Sequence, residues 1–298
     1  MANTIASGLN QEVVLNAALE AFVDGLAPLN AFTTDFSSDI IQGRNNSVQI
    51  GYVPAATAAA NFAGTYTAQD STLENRQITI DSHKYVAWHV TDTETANSPV
   101  VSLERFGYQK GFQLATAVFS DMLSLVTNAN YGAAAFTGAA STFDTDDVID
   151  IKQACDLADM PANMRSMVMS SSYCNALLKD GGISDSSAYG NSAPVQSGIL
   201  GKLSGFDVYQ TNDIPANSEN LVGFAAYPSA IVAAMRYLRP QTNSVLTAAT
   251  PLTDPNTGIT MGYRQWYDAD TGTNKAILEC NYGFAVGEDA ALKRITSA

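Results

Sequence analysis

Positive charge is scarce in this chain of 298 residues. Lys and Arg together number 15 against 29 Asp and Glu, which leaves a net charge of −14, and there are only two His. A protein that binds nucleic acid tightly needs basic patches that displace counterions from phosphates. The sequence has no such patch and no basic amphipathic helix that would suit a membrane surface. These absences exclude tight nucleic-acid binding and membrane-surface binding, and they indicate a solvated acidic surface.

Cysteines and long apolar runs are also few. Cys155, Cys174 and Cys280 are widely spaced and odd in number, so we expect buried, reduced thiols rather than a disulfide framework or a CxxC metal site. No apolar run reaches the roughly 18 residues of a membrane span. The N-terminus lacks the basic segment and apolar core of a signal peptide, which predicts synthesis and residence in a cytoplasm.

Apolar residues nevertheless make up 46% of the chain, and charged residues only 15%. Disordered chains show the opposite balance, so this chain should fold, as one large domain or two modest ones. Ala, Ser, Thr, Asn and Gly supply most of the rest. They predict a polar but uncharged surface, of the kind that is buried between copies of a protein.

The longest periodic stretch is Glu104–Asn128. Its apolar or small residues recur every three or four positions, which predicts a helix with one wide buried face. At about 1.5 Å per residue this helix would be roughly 37 Å long, so another part of the molecule must lie along it. The residues predicted to face the core are Phe112, Ala115, Phe119, Met122 and Val126, with Leu114, Val118 and Leu125 beside them.

Two segments before this helix carry too little apolar surface to be stable alone. Residues 1–38 contain one amphipathic helical pattern, which we interpret as an arm that packs on another surface; a helix bundle within its own domain is the alternative. Residues 48–91 are interpreted as a long two-stranded ribbon with a soft middle, which needs its own domain or another copy to cover it. One face of the ribbon's second strand carries Ile78, Ile80, Val86, Trp88 and Val90.

Helices and strands alternate after the long helix. Val148, Ile151, Cys155 and Ala158 predict an amphipathic helix, a Gly- and Ser-rich loop covers 180–197, and the segment DADTGTN is a turn near the end of the chain. The other predicted elements are strands at Ser166–Met169, Gly205–Gln210, Leu221–Phe224, Gly258–Tyr267 and Ala276–Val286, and helices at Tyr173–Lys179 and Tyr227–Leu238.

Groups that could carry catalysis or bind a metal are few. His83 and His89 lie roughly 20 Å apart on a presumed strand, too far for one metal, so surface histidines are favoured. GKLSG at 201–205 lacks the Ser or Thr and the earlier Gly of a phosphate loop. Asp268, Asp270 and Gly272 lack the spacing and closing Glu of an EF-hand, so a hairpin turn is favoured. The sequence therefore predicts no enzyme, no cofactor and no metal site.

Three further charged residues have two possible interpretations. Glu104 and Arg105 open the long helix, either as a solvated helix start or in contacts between copies. Lys84 is the only lysine of the ribbon stretch, and a solvated side chain is favoured over a reactive one.

The order of these elements resembles the major capsid protein of tailed bacteriophages, the Hong Kong ninety-seven fold that encapsulins share. Local sequences are similar as well. RSMVMSSSYCNALLKD resembles the family's strand and short helix that lead into the apical domain. GKLSGFDVYQTNDIP followed by LVGFAAYPSAIVAAMR resembles its strand pair and helix, and KAILECNYGFAVGEDAALKRI resembles the closing strand of its peripheral domain. The resemblance covers nearly the whole chain.

The resemblance implies an α+β capsid fold with five parts. They are an N-terminal arm (1–38), an extended-loop ribbon and its base (39–92), a peripheral domain with the spine helix (93–163), an apical domain (164–240) and return strands to the peripheral domain (241–298). The 180–197 loop would lie near the centre of each capsomer, and the ribbon tip at 54–77 over a neighbouring copy. About 100 scaffold residues found in some members do not precede the arm, which implies a separate scaffold protein or none. Lys84 lies near the ribbon's base, so no cross-linking is predicted.

The function that the resemblance implies is mechanical. Many copies, as hexamers and pentamers, would form the icosahedral head shell of a virion around phage double-stranded DNA, after assembly in the host bacterial cytoplasm. Expected partners are scaffold, portal and decoration proteins and weakly contacted DNA, with no membrane. An encapsulin-like nanocompartment with an enzyme cargo is the first alternative. A secreted β-rich adhesin or hydrolase is the second, and the missing signal peptide counts against it.

Overall fold

The computed structural model describes residues 18, 20, 47–52, 61–62, 64–65, 74–97, 100–184, 200–241, 246–253 and 260–298. Most of the predicted arm, the ribbon tip and the 185–197 part of the Gly/Ser-rich loop therefore lie outside the described residues. The helices are α1 (Asp92–Asn97), α2 (Val100–Leu123), α3 (Asn128–Tyr131), α4 (Thr145–Leu157), α5 (Ser171–Lys179) and α6 (Gly181–Ser184). The strands are β1 (Ser47–Tyr52), β2 (Glu74–Thr79), β3 (Ser82–Thr91), β4 (Phe136–Thr137), β5 (Ser166–Met169), β6 (Lys202–Leu203), β7 (Phe206–Gln210), β8 (Leu221–Ala226), β9 (Ile231–Arg236), β10 (Ala248–Thr253), β11 (Thr260–Asp268), β12 (Thr273–Val286) and β13 (Leu292–Thr296).

A central antiparallel sheet has the strand order β10-β11-β12-β3, and β9 also pairs with β12. Successive side chains of a strand point to opposite faces, and the even-numbered residues of β12 face the core. Helix α2 packs on that face, and Trp88 lies against Tyr263 with ring centroids 6.2 Å apart. The buried residues shared by helix and sheet include Leu114, Val118, Phe119, Met122, Leu278, Cys280 and Tyr282.

A second sheet has the order β4-β13-β8-β5-β7-β6. Helices α4 and α5 cover one side of it and form a second core, which includes Val148, Ile151, Cys155, Tyr173, Leu177 and Phe206. Buried Arg294 links the two cores, because it donates to the Gly132 carbonyl and to Glu219, whose carboxylate also accepts from the Asn128 N–H at the start of α3.

The long helix α2 begins and ends earlier than the period predicted. It starts at Val100, four residues before the predicted start at Glu104. It ends at Leu123, where the Ser124 hydroxyl donates to the Asp121 carbonyl. The amide of Asn217 donates to the carbonyls of Leu123 and Val126, both at 2.8 Å, and so satisfies the end of the helix.

The helix predicted at Tyr227–Leu238 is wrong, because this segment contains strand β9 instead. Its residues pair antiparallel with the end of β12, from Ile231 opposite Val286 to Arg236 opposite Asn281. A short apolar run fits a buried helix or a buried strand equally well, and here a partner strand decides the outcome.

The prediction that the second strand of the ribbon is one long element is also wrong. The chain leaves β2 after Thr79, and β3 then begins at Ser82 in a different sheet. Strand β2 pairs with β1, as the ribbon predicted, with Ser47 opposite Thr79. Strand β3 pairs with β12, with Ser82 opposite Tyr282.

Most other predicted elements are confirmed within a few residues. Helix α4 begins at a capping box in which Asp144 accepts from the N–H groups of Asp146 and Asp147. The DADTGTN segment joins β11 to β12, and Asp268 lies opposite Thr273. The start of the 180–197 segment is the short helix α6 rather than a loop. The three cysteines are free and buried, as predicted.

Candidate interface between copies

The first half of the long helix extends beyond the core. Its later core-facing residues, such as Leu114, Val118 and Met122, are fully buried, whereas Tyr108 is 42% exposed and Phe112 is 46% exposed. The prediction that Phe112 faces the core is therefore wrong. The two aromatic rings are four residues apart, so they lie side by side on one face of the helix. An exposed aromatic pair of this kind is a candidate contact surface.

The predicted arm reaches this half of the helix at one described point. Ala18 is helical and fully buried, and it lies against Gly111. A Cβ atom at Gly111 would lie 2.9 Å from both the Cα and the carbonyl carbon of Ala18, which is too close for real atoms. At Ala18, therefore, the arm packs on its own subunit, which agrees with the alternative interpretation of residues 1–38.

The base of the ribbon is held by a small apolar cluster on the outer face of the central sheet. The members of this cluster are Ile78, Ile80, Val232 and Ala234, with Ala285 beside them. The chain crosses β12 at Gly283, where a Cβ atom would lie 2.7 Å from the carbonyl carbon of Thr79 and 3.1 Å from the Cα of Ile80. The base of the ribbon is therefore held against β12 at Thr79 and Ile80.

Strand β3 forms one border of the central sheet, and no described strand pairs with its outer edge. Its odd-numbered side chains face solvent, and Tyr85 is 64% exposed. Tyr267 on β11 is also half exposed and donates to the Asp92 carboxylate at 2.8 Å. This border combines the exposed ring of Tyr85 with a sheet edge beside which no described strand lies, a combination that favours contact with another chain.

The sequence favoured a solvated side chain for Lys84, but the structure pairs this side chain with a carboxylate. Its ammonium lies 2.7 Å from the carboxylate of Asp121 on α2. The hydroxyl of Tyr282 donates to the same carboxylate at 2.5 Å. Burial, and then the bond to Asp121, raise the pKa of Tyr282 above its ordinary value. The three side chains fasten the long helix to the central sheet.

His83 and His89 both lie on β3 and point to its outer face. His83 lies 3.1 Å from the buried carboxylate of Glu279, whose other oxygen lies 2.6 Å from Arg264. His89 lies farther along the strand, opposite Lys275. Among the residues that the structure describes, no group of three or more potential ligands could hold a metal ion.

The two loops weighed as binding motifs are tight turns. Ser204 and Gly205 both have positive φ, of 51° and 92°, and they connect Leu203 to its partner Phe206. Two such residues form the turn that suits a two-residue hairpin. In the other loop Asp268 pairs with Lys275 at 2.6 Å, and the hydrogen bond from Lys275 lowers the pKa of Asp268. Both carry hairpin geometry.

An open cleft of about 560 Å³ lies where α4 begins beside α5. The side chains of Asp180 and Thr145 bond across its edge, since the Thr145 N–H and hydroxyl both donate to Asp180. Its walls are Ala140–Asp144 with Ser172, Ala176, Lys179 and Asp180.

Glu104 and Arg105 lie within α2, but their side chains are outside the described residues, so both interpretations of them stay predictions. Sequence reasoning missed Gly111 and Gly283. A glycine inside a helical or strand pattern signals a close backbone approach, and that signal was present at both positions. None of the helices in the described ranges is long and apolar enough to cross a membrane.

No protein-family model matches the chain, and no curated protein matches it. Solved structures do match its fold. A chain of Mycobacterium phage Che8 is 17% identical with a TM-score of 0.62, and the match covers 89% of both chains. A chain from the asymmetric unit of the bacteriophage PhiM1 mature capsid is 13% identical with a TM-score of 0.62, over 91% of this chain and 86% of that one.

An archaeal particle has a similar subunit. A chain of the virus-like particle from Pyrococcus furiosus is 11% identical with a TM-score of 0.54, and the match covers 95% of this chain and 98% of that one. Identities this low show a shared fold. The chain therefore adopts the fold of these phage capsid and virus-like particle subunits, the Hong Kong ninety-seven fold that its sequence resembles.

Proposed function

We propose that this chain is a major capsid protein, the structural subunit of the icosahedral head that encloses the double-stranded DNA of a tailed bacteriophage. The observation that carries the proposal is the shared fold with the PhiM1 mature capsid chain, which extends over most of both chains. The match covers 91% of this chain and 86% of that one, so it supports the proposal over far more than a single domain.

The geometry of the subunit supports a mechanical role. Ala18 of the arm packs in the first core, and Ile78 and Ile80 of the ribbon base pack in the small cluster on the outer face of the central sheet. Tyr108 and Phe112 in the first half of α2 stay exposed. Elements that contact their own subunit at a small area need other surfaces to bury the rest of their length. Copies joined by such head-to-tail contacts form closed rings when the rotation between them closes.

The proposed parts of the chain are those of the capsid family. Residues 1–38 would be the arm, 39–92 the extended loop and its base, 93–163 the peripheral domain, 164–240 the apical domain and 241–298 the return strands. The copies would meet as hexamers and pentamers in the virion, after assembly in the host cytoplasm, without catalysis. Scaffold, portal and decoration proteins are proposed as separate partners, and the DNA as a weakly contacted cargo.

The test is to express the chain alone and to image the purified product by negative-stain electron microscopy. Capsomers, closed shells or tubes are expected, with a sedimentation coefficient far above that of a 31.5 kDa monomer. A strictly monomeric product at high concentration contradicts the proposal.

A nanocompartment shell is the second candidate, and the match to the Pyrococcus furiosus particle favours it. The two candidates differ in what the particle contains. A phage head isolated from its host should hold nuclease-protected DNA and a portal protein. A nanocompartment should hold a co-purifying enzyme and no genome, which mass spectrometry and nuclease treatment distinguish.

A further inference from the structure

We propose that Gly111 and Gly283 are two glycine seats that fix where the arm and the ribbon leave the subunit, and that assembly into closed shells depends on both. The proposal deepens the proposed function and rests on it. Each seat is a position on the body of the subunit where the absent Cβ leaves room for a backbone carbonyl of a reaching segment. The carbonyl groups belong to Ala18 and Thr79.

The arm seat lies on the projecting half of α2. Gly107 and Ala115, which lie one turn to either side of Gly111, are also buried, so this face of the helix is the one that Ala18 covers. All three atoms nearest to an added Cβ are backbone atoms of Ala18, and backbone cannot rotate aside as a long side chain can. A methyl group at Gly111 must therefore push the backbone of Ala18 away from α2.

The ribbon seat lies near the C-terminal end of β12. Gly283 faces the ribbon base, and its three nearest atoms are backbone atoms of Thr79 and Ile80. The apolar cluster around it and this close backbone contact together position the end of β2 on β12. Beside the seat, the chain turns from the ribbon sheet into the central sheet.

A fixed departure point matters because each reaching segment acts as a lever. Each extended residue adds roughly 3.3 Å to the length of a segment. In a segment of more than 20 residues, a small change of angle at the base therefore displaces the far end by many ångströms. Contacts between copies need a constant geometry for a ring to close rather than to continue as an open assembly. The seats are therefore needed for closure of the shell rather than for folding of the subunit.

The experiment compares Gly111→Ala and Gly283→Ala with Gly201→Ala, a matched control at a glycine whose added Cβ would meet no atom within 4 Å. Hydrogen exchange is measured on unassembled subunits at the peptides that contain residues 18–20 and 74–79. Faster exchange is expected at the arm for Gly111→Ala and at the ribbon base for Gly283→Ala. Both variants should give open sheets or irregular particles, whereas Gly201→Ala should behave as the parent chain.

A partner variant covers the case in which Gly283→Ala does not fold. Ile80→Ala loosens the same ribbon base without adding an atom to β12, and it should also speed exchange at 74–79 and prevent closed shells. If Gly111→Ala exchanges hydrogen at the parent rate and forms closed shells, the proposed role of the arm seat is refuted. The same result in a ribbon variant that folds refutes the proposed role of the ribbon seat. If the parent chain forms no particles at all, the proposed function falls, while the exchange data on subunits still decide whether the seats hold the two segments.

Discussion

Lys84 on β3 and Asp121 on α2 form a salt bridge of 2.7 Å between the central sheet and the long helix. The pair lies near the C-terminal end of the helix, and both side chains are 38% exposed. Its strength depends on a third residue, because the more buried Tyr282 donates to the same carboxylate. The position of the helix on the sheet thus depends on one acceptor that serves two donors.

Two substitutions of Asp121 should lower the free energy of unfolding of the subunit by different amounts. Asp121→Asn keeps an acceptor for Tyr282 but loses the charge, and it should cost about 0.5–1 kcal/mol, as expected for a solvent-screened pair. Asp121→Ala loses both partners and should cost about 1–3 kcal/mol. Urea unfolding of the unassembled subunit measures both free energies. Tyr282→Phe is the control for the hydroxyl alone, and equal costs for Asn and Ala would contradict the two-donor arrangement.

The subunit should lose stability in alkaline solution. Burial raises the pKa of Cys280 to about 12 and that of Tyr263 to about 12. The unfolded chain releases these protons near pH 8.5 for a thiol and about 10 for a phenol. The folded state then holds more protons than the unfolded state, so its stability is complete below about pH 8.5 and declines as the pH rises towards 12.

Urea unfolding at a series of pH values from 8 to 11 measures this decline. Cys280→Ala removes one of the buried groups, so the decline between pH 9 and 11 should be shallower in that variant. A slope unchanged by Cys280→Ala would mean that the thiol contributes nothing to it.

Phe112 and Phe119 make a matched pair on α2, since the same substitution meets solvent at one position and the core at the other. Phe119→Ala should cost about 3–5 kcal/mol of subunit stability, because it opens a cavity in the core. Phe112→Ala should leave subunit stability within about 1 kcal/mol, since its ring is half exposed. It should raise the protein concentration needed for assembly, which light scattering measures. Normal assembly of Phe112→Ala would remove this ring from the interface.

Shortening the ribbon should separate folding from assembly. Tyr52 lies opposite Glu74 at the end of the β1–β2 pair, so an Asn-Gly turn can join them in place of residues 53–73. The shortened chain should fold, because the cluster at Ile78 and Ile80 is kept, but should form no closed shells. A Gly/Ser linker of the original length is the control for chain length. Closed shells from the shortened chain would refute the proposed role of the ribbon tip.

Salt should favour assembly, because each copy carries a net charge of −14 and the copies repel one another. Raising the ionic strength from about 0.1 M to 1 M shortens the screening length from about 10 Å to 3 Å. The concentration at which particles appear should therefore fall as NaCl or MgCl₂ is added. Light scattering across a salt series measures it, and a flat response would show that repulsion does not limit assembly.

The sequence by itself determined the elements whose signals are local. The period of three and four residues predicted most of α2, the spacing of Val148, Ile151 and Cys155 predicted α4, and the run Ser166–Met169 predicted β5 at its observed bounds. The strand predicted at Ala276–Val286 forms most of β12. Each of these depends on spacing along the chain and on side chains that can satisfy or bury the element they belong to.

The tertiary structure alone decided the pairings between distant segments. Ile231–Arg236 is a strand because the end of β12 lies beside it, and the chain changes sheets at Asp81 because Gly283 lets the ribbon base cross. Phe112 fits the helical period, yet no described part of the core covers it. Lys84 found its partner 37 residues away. Spacing along a chain carries no information about which distant surface arrives to cover a residue, and that is why these features required the folded molecule.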